Sequence, residues 1–587
     1  MTRILIGTVG LFAVVAALFA CNFRNEFVRL DDFDYVVLNT HIHDGLTPKT
    51  VRWAFTDAGY AANWHPLTWI SHAADITVAR LLGWRWQEDE ADEKGCRPAR
   101  CWGPLAELSH AENVALHAAN AALLMLVILM LIKGWAGEVP SRTALLIAGF
   151  CALLWAVHPL RVEVVAWASE RKELLSVFFM LLSMLAYLRQ SRPRCSSHIP
   201  HPSSLLSLLF FALALLAKPV AVSLPAVLFG CDVLLGRKGA LRRLVPFVLL
   251  SVGTCVLTMM AQKEALSQGE VFSVLTRIVC AVEAPVVYLR QTLWPFGLSV
   301  SYPMPETWRS VTFALGVVLL GGIAALGGWW LWNFAKERRD RWTDAIPLSL
   351  AWCYVALLPM LGIVKVGYQP HSDRYTYWVG CGVAAAAALV AAGLARQWEM
   401  YARQLLIGAV CLGAFWGVCS RACSARWSHS RPLFTDAVKS AHLEADAWVL
   451  SEILLQCKDM RDKQLALPML RDVLAIRRSP YARAILAHAL AIVGEPDVRV
   501  DSVTGKSEAF EEVKMLASGA FDEGSCRRDD AAFAALAFAE YRLRHYARAY
   551  DYMKKAYEAG YACNVLDLKL ADFERKAKEE EHGLEQK

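Results

Sequence analysis

Two adjacent carboxylates, Asp31 and Asp32, lie in the stretch "VRLDDFDYVVLN", shortly after an apolar run that begins at Ile4, and Asp34 follows them. Moving a charged group out of water is costly, so acidic side chains at a membrane surface are expected to have a structural or chemical role. They could end a membrane helix as a polar cap. Alternatively, one could act as a general base, because a carboxylate beside a second carboxylate at a low-dielectric surface has a raised proton affinity. Taken alone, the stretch leaves both interpretations open.

Three later segments are also unusually polar: "WHPLTW" (64–69), "HPLRVEVVAWASERKELLS" (158–176) and "PHSDRYTY" (370–377). If these segments share one face of the membrane, their charged and histidine side chains could form a single site. The same side chains could instead accompany turns, contact lipid headgroups or snorkel to the interface. The side chains with candidate chemistry are His65, His158, Arg161, Glu170, Arg171, Lys172, Asp373 and Arg374.

The composition indicates a membrane protein with a soluble extension. The chain has 587 residues, 56% of them hydrophobic, whereas an ordinary soluble chain is about 45–50% apolar. Nearly all long apolar runs fall in residues 1–421, and the rest of the chain is richer in charge. The net charge of +6 is modest, and Lys and Arg cluster in short loops between the apolar runs. This distribution favours membrane orientation over nucleic-acid binding.

Apolar runs of about 17–25 residues can cross a bilayer as helices. Allowing for short examples, the sequence predicts eleven spans. They lie at residues 4–21, 112–132, 142–158, 174–190, 203–217, 219–235, 244–262, 310–334, 344–364, 376–395 and 404–421.

The basic loops orient these spans. With a cytoplasmic N-terminus, every strongly basic short loop falls on the cytoplasmic side, as the positive-inside rule requires. A twelfth span at 273–297 would move the basic loop "AKERRDRW" outside, and this segment holds Glu283, Arg290 and two prolines, so we predict an interfacial or re-entrant helix there. The first loop, 22–110, has stretches typical of interfacial helices. All four polar segments then share the non-cytoplasmic face, which is the main sequence evidence for one site.

The C-terminal part, 422–587, is predicted to be an extracytoplasmic domain of TPR-like helices. In "YRLRHYARAYDYMKKAYEAG", Ala549, Met553 and Ala556 repeat at helical spacing. Small residues at such positions let two helices approach closely, as in tetratricopeptide repeats. The paired helical patterns lie near 434–458, 462–493 and 529–577.

Three short stretches of the sequence have further possible interpretations. The first 21 residues, ending in "LFAC", also resemble a lipoprotein signal, whose cleavage would remove the first helix. Cys96 and Cys101 share a polar loop and could form a disulfide in an oxidising compartment. The "HIH" at 41–43 together with His65 has no spacing that defines a metal site.

Seven stretches resemble, in order, the transmembrane TPR-containing O-mannosyltransferase family and its bacterial relatives, within the GT-C class of polytopic glycosyltransferases. They cover residues 30–377, and a TPR-like region follows them, as in the family. Arg161 stands where a histidine is usual. The stretches are "LDDFDYVVLNTHIHDGLTPKTVRWAFT", "ANWHPLTWISHAAD", "LHAANAALL", "HPLRVEVVAWASERKELLS", "AKPVAVSLPAVLFGCD", "LSVSYP" and "SDRYTY".

The resemblance implies an all-α fold, with a GT-C membrane domain at 1–421 and an α-solenoid at 422–587. It implies transfer of a sugar, mannose being one option, from a polyprenyl-phosphate carrier to a hydroxyl acceptor, expected to be protein. Asp31 or Asp32 would deprotonate the acceptor. The residues that would bind the donor's phosphate or sugar are His65, His158, Arg161, Glu170, Arg171, Lys172, Lys218, Asp373 and Arg374. Whether a divalent cation also takes part is left open.

Two other functions compete with this one. The chain could be a membrane-anchored TPR scaffold for envelope assembly, or a flippase of lipid-linked saccharides, because charge inside a membrane domain also marks substrate paths. In each case we expect lipid and, for the C-terminal domain, protein partners rather than nucleic acid. The expected location is a bacterial inner membrane, with the C-terminal domain in the periplasm.

Overall fold

A computed structural model of the chain is helical throughout the residues that it describes, and no strand occurs among them. The prediction of an all-helical protein with membrane helices is therefore confirmed. The described residues are 2–84, 102–136, 139–189, 202–237, 239–262, 273–302, 310–336, 341–361, 369–395, 402–441, 529–542, 545–559 and 573–579, with isolated positions between 471 and 517. Cys96 and Cys101 lie outside them.

The helices follow the apolar runs of the sequence. Those of the first half are α1 (Thr2–Phe19), α2 (Pro48–Thr56), α3 (Pro66–Leu81), α4 (Gly103–Ala136), α5 (Ser141–Ala156), α6 (Val162–Ala166), α7 (Arg171–Leu188), α8 (Pro202–Ala217), α9 (Leu224–Leu234) and α10 (Ala240–Ala261). Those of the second half are α11 (Val274–Leu293), α12 (Ser310–Ala335), α13 (Arg341–Leu357), α14 (Thr376–Leu394), α15 (Ala402–Arg426), α16 (Ser430–Ala441), α17 (Asp529–Arg542) and α18 (Tyr546–Glu558).

Six helical segments of the described chain are long and apolar enough to cross a membrane, and a seventh is counted if α5 and the segment Pro159–Ala166, bent by 64°, form one span. The other predicted spans fall on helices that are short, such as α8, α9 and α13, or that begin with charged residues, as α7 does. The topology of eleven spans therefore stays a prediction. The six segments are Thr2–Arg24, Gly103–Trp135, Ala240–Ala261, Val311–Asn333, Asp373–Leu394 and Leu406–Arg426.

The segment predicted to be interfacial or re-entrant, 273–297, contains one continuous helix, α11. Its 20 residues include Pro285 in the interior and the charged residues Arg277, Glu283 and Arg290. These charges are why α11 does not count among the apolar spans, although its length would suffice.

Small residues allow the membrane helices to pack closely. Along α5, Ala144, Ala148, Ala152 and Ala156 are fully buried where the helix packs against α4 and α14. On α14, a Cβ atom at Gly382 would lie 2.9 Å from the ring of Trp352, so this contact requires glycine. Lipid is as apolar as the side chains, so close backbone approach and van der Waals contact stabilise such helix pairs.

Helix α4 carries a row of buried polar side chains. With 34 residues it extends about 51 Å, well beyond the hydrocarbon core of about 30 Å. Buried side chains three or four positions apart run along one face: His110, Asn113, His117 and Asn120. The Asn113 amide donates to the Trp167 carbonyl at 2.9 Å, and the His117 Nδ1 atom lies 2.8 Å from the Tyr377 hydroxyl. These bonds tie α4 to the turn before α7 and to α14.

The chain divides into two compact units. The first holds residues 1–85 and 102–429, and the second holds the chain from Ser430 onward, whereas the sequence prediction placed the boundary at 421/422. In the second unit, α17 and α18 pack as a helical pair, and the predicted small-residue face of α18 is buried: Ala549, Met553 and Ala556. Most of the patterns predicted at 434–458 and 462–493 lies outside the described residues. The TPR-like solenoid therefore stays a prediction.

Candidate functional site

The two adjacent aspartates have different environments. Asp32 is fully buried, and its carboxylate accepts the backbone N–H groups of Val28, at 3.0 Å, and Ser169, at 2.7 Å. The side chain of Asp31 is 44% exposed, and its Oδ2 atom lies 2.8 Å from the Lys172 ammonium. Asp32 thus ties the segment after α1 to the turn before α7. Of the two aspartates, Asp31 is the one with an accessible carboxylate.

Burial raises the pKa of Asp32 from 3.8 to about 7, although the two backbone N–H donors oppose this shift and the nearby charge of Asp31 adds to it. The folded pKa therefore lies above the unfolded value. Between these two values the folded protein keeps a proton that the unfolded chain has already released. The stability contributed by this group is complete below about pH 4 and is lost as the pH rises to about 7.

We expect the free energy of unfolding to fall across this window, by up to about 4 kcal/mol from this group. The variant Asp32→Asn should show a smaller fall between pH 5 and pH 8 than wild type, measured by thermal unfolding in detergent. Asp44→Asn, at an exposed carboxylate, is the matched control and should keep the wild-type slope. Equal slopes in wild type and Asp32→Asn would contradict the assignment.

Asp31 belongs to a cluster of seven ionisable side chains, which we call the charge cluster. Glu170, fully buried, lies at its centre: its Oε1 atom is 3.3 Å from the Lys172 ammonium and 3.7 Å from Nε of Arg374. Its Oε2 atom is 3.1 Å from the Lys218 ammonium. The members are Asp31, Glu163, Glu170, Glu173, Lys172, Lys218 and Arg374.

The outer carboxylates complete the cluster. Glu173 lies 3.0 Å from the Lys218 ammonium, and Glu163 accepts the Arg374 guanidinium at 2.6 Å and its backbone N–H at 2.9 Å. Four carboxylates thus face three cations, a formal charge of −1 when all are ionised. Each cation has a partner, as burial of charge requires.

The central carboxylate stays ionised. Burial alone would raise the pKa of Glu170, but Lys172, Lys218 and Arg374 together hold it well below its usual range. Glu170 therefore fixes three cations in one place by a single negative charge. A group of cations held this close together can bind a phosphate group or stabilise one as it departs.

Aromatic rings line the cluster. The Lys172 ammonium lies 4.5 Å from the ring centroid of Tyr35 and 5.6 Å from that of Trp167, and the Arg374 guanidinium lies 5.3 Å from Trp167. A hydrogen bond of 3.2 Å joins the Tyr35 hydroxyl to Nδ1 of His65. Burial, with the charges of Lys172 and Lys218, lowers the pKa of His65 well below its usual value. His65 is thus a neutral group that positions Tyr35.

Besides Asp32 and His65, four more of the predicted site residues lie outside the charge cluster. Arg171 follows Glu170 directly, but its guanidinium turns to Asp75, at 2.6 Å, and to Glu112, at 2.9 Å. Asp373 accepts the Tyr302 hydroxyl at 2.7 Å.

The other two are His158 and Arg161. Nε2 of His158 donates to the Thr292 carbonyl at 3.0 Å, and Arg161 donates to the backbone carbonyl and the hydroxyl of Thr376. These contacts join helix ends, so the structure brings together Asp31, Glu170, Lys172, Lys218 and Arg374 from the predicted set, with His65 behind Tyr35.

Sequence reasoning missed several members of the site. Glu163 and Glu173 were not among the predicted site residues. Glu163 lies seven positions before Glu170, and Glu173 lies three positions after it. Buried cations require carboxylate partners, and this spacing could have identified them. No signal marked Tyr35 or Trp167, since aromatic residues are common throughout the chain.

Among the described residues, no three His, Cys, Asp or Glu side chains converge as a metal site would require. Neither a family model nor a curated protein matches the chain.

Proposed function

We propose that the protein is a membrane glycosyltransferase that moves a sugar from a polyprenyl-phosphate carrier to a hydroxyl acceptor, expected to be protein. The observation that carries this proposal is the half-exposed carboxylate of Asp31 at the edge of three clustered cations. A base for the acceptor and counter-charges for a departing phosphate are the two requirements of this reaction. Mannose is the first sugar to test. We place the site on the non-cytoplasmic face of a bacterial inner membrane, with the N-terminus in the cytoplasm.

In the proposed reaction Asp31 takes the proton of the acceptor hydroxyl. The acceptor oxygen forms a bond to the anomeric carbon of the sugar, and the bond from that carbon to the phosphate oxygen breaks. The phosphate leaves with the electron pair, and its new charge is stabilised by Lys172, Lys218 and Arg374. Asp31 then releases its proton to water.

The ion pair between Lys172 and Asp31 gives the donor a direct effect on the base. An ammonium group has three N–H donors and no acceptor. Phosphate oxygens that arrive beside Lys172 compete for these donors and weaken its hold on Asp31. The Asp31 carboxylate is then released from its hydrogen bond to Lys172 and can accept one from the acceptor hydroxyl. Donor binding would thus prepare the base for the acceptor.

The excess of carboxylates over cations bears on metal dependence. An anionic donor adds to the formal charge of −1 in the cluster, and a divalent cation bound with the phosphate would balance it. Asp31 and the donor phosphate are the groups placed to hold such an ion.

The test is a transfer assay with the full chain in nanodiscs. Polyprenyl-phosphate mannose and other polyprenyl-phosphate sugars are supplied in turn with envelope proteins as acceptors, in the presence of magnesium or of EDTA. We expect a sugar-specific mass shift on the acceptor and release of polyprenyl phosphate. If none of the supplied donors is consumed with acceptor present, the proposal fails.

A scaffold function has one observation in its favour: every cation of the charge cluster already has a carboxylate partner. A purely structural cluster would look the same. A scaffold would keep its cellular phenotype when Asp31 is replaced and lose it when residues 430–587 are deleted. A transferase would lose it in the first variant.

A further inference from the structure

A second polar feature lies apart from the charge cluster, at the ends of α5, α11 and α14. It is a cavity of about 170 Å³ whose walls come from these helices and from α15. His158, Arg161, Thr292 and Thr376 line one end of it. These residues lie just beyond the end of α5, near the end of α11 and at the start of α14, which is where helices reach the membrane interface.

The rest of the cavity is apolar. Along α14 its lining continues from Thr376 through Gly380 and Val383 to Ala387, one helical face that runs for about 16 Å. Trp416 of α15 closes another side, and the Val383 side chain is 42% exposed on the outer surface of the helices. The cavity therefore changes from polar to apolar along a line from the helix ends toward the membrane interior, as a lipid molecule does.

Among the described residues, no carboxylate makes a direct ion pair with Arg161, although Asp373 and Glu173 act on its charge from a longer distance. Its side chain is 3% exposed, and two of its nitrogens donate to Thr376. The Nε–H group has no acceptor, and within the described part of the chain no carboxylate oxygen lies within 4.0 Å of the guanidinium. The rings of Trp155 and Tyr377 lie 5.9 Å and 5.7 Å from it. A buried cation of this kind favours an anion as its partner.

We propose that this cavity binds one anionic phospholipid of the surrounding bilayer, with the headgroup phosphate beside Arg161 and an acyl chain along α14. The choice of a bilayer phospholipid follows from the position of the cavity on the outer helical surface. The proposal does not depend on the transferase function.

The experiment uses the full chain, delipidated in mild detergent and placed in nanodiscs of phosphatidylcholine with phosphatidylglycerol as the minor lipid. Native mass spectrometry then measures which lipid stays bound to the released protein. We expect one retained phosphatidylglycerol. Arg161→Gln should reduce its retention about 10- to 100-fold, because a charge-assisted bond is lost.

A second variant keeps the test decisive if Arg161→Gln does not fold. Val383→Phe fills the apolar part of the cavity and leaves Arg161 intact, and it should reduce retention as well. Arg421→Gln removes an exposed arginine of α15 and serves as the matched control, with retention expected to stay at the wild-type level.

Three results would overturn the proposal. The first is equal retention of phosphatidylcholine and phosphatidylglycerol by wild type. The second is wild-type retention of phosphatidylglycerol in either Val383→Phe or a folded Arg161→Gln. The third is a polyprenyl phosphate, rather than a phospholipid, as the molecule that occupies the cavity in protein purified from membranes.

Discussion

Replacing Asp31 by asparagine is expected to reduce sugar transfer by about 10²- to 10⁴-fold, the usual contribution of a general base. The substitution keeps the size of the side chain and removes its ability to take a proton. Because Asp31 is 44% exposed and has a single ion pair, to Lys172, the fold should persist. Transfer is measured in nanodiscs with the donor that wild type uses, and folding by thermal unfolding and size-exclusion elution.

Two further variants serve as comparisons for Asp31→Asn. Asp44→Asn removes an exposed carboxylate of the same loop and should transfer sugar at the wild-type rate. In Asp32 both carboxylate oxygens accept backbone N–H groups, so a loss of transfer in Asp32→Asn should accompany a change in stability. Wild-type transfer by a folded Asp31→Asn variant would show that Asp31 is not the base.

Replacing Glu170 by glutamine is expected to destabilise the protein by about 3–5 kcal/mol, the cost of breaking a buried ion pair on one side only. Glutamine fills the same space but leaves Lys172, Lys218 and Arg374 without their shared counter-charge. All three ammonium or guanidinium groups lie within 3.7 Å of the Glu170 carboxylate. The measurement is thermal unfolding in detergent, with the yield of monodisperse protein as a second readout.

Glu173→Gln provides the graded comparison. Glu173 pairs with Lys218 alone, so its replacement should cost less than that of Glu170. The double variant Glu170→Gln with Lys218→Met should be less stable than Glu170→Gln alone, because it also leaves the buried Glu173 carboxylate without its cation. If Glu170→Gln were as stable as wild type, charge compensation would not be what holds the cluster together.

The sequence predicted the helices and the charged segments well, because apolar runs and polar breaks are local properties. It also brought Asp31 and Lys172 into one site, through loops assigned to the same face. It could not separate Arg171 from Lys172. Adjacent positions on a helix point about 100° apart, and only the packed structure shows that Arg171 turns to Asp75.

The number of spans was harder to predict for a physical reason. Hydropathy identifies an apolar segment, but a helix such as α9, with 11 residues, is too short to cross a bilayer alone. Its place depends on its neighbours, which a linear pattern does not contain. The environment of Arg161 was equally hard to predict, because whether a carboxylate contacts it directly depends on residues far away along the chain.

The row of buried polar side chains on α4 has a consequence for biosynthesis. His117 contacts Tyr377, which lies 260 residues later in the chain. At a translation rate of about 5–20 residues per second, α4 waits roughly 10–50 s in the membrane before this partner is made. During that time the Nδ1 atom of His117 needs water, a lipid headgroup or an insertion factor as a temporary partner. A helix that carries buried polar side chains thus depends on such protection while the rest of the chain is synthesised.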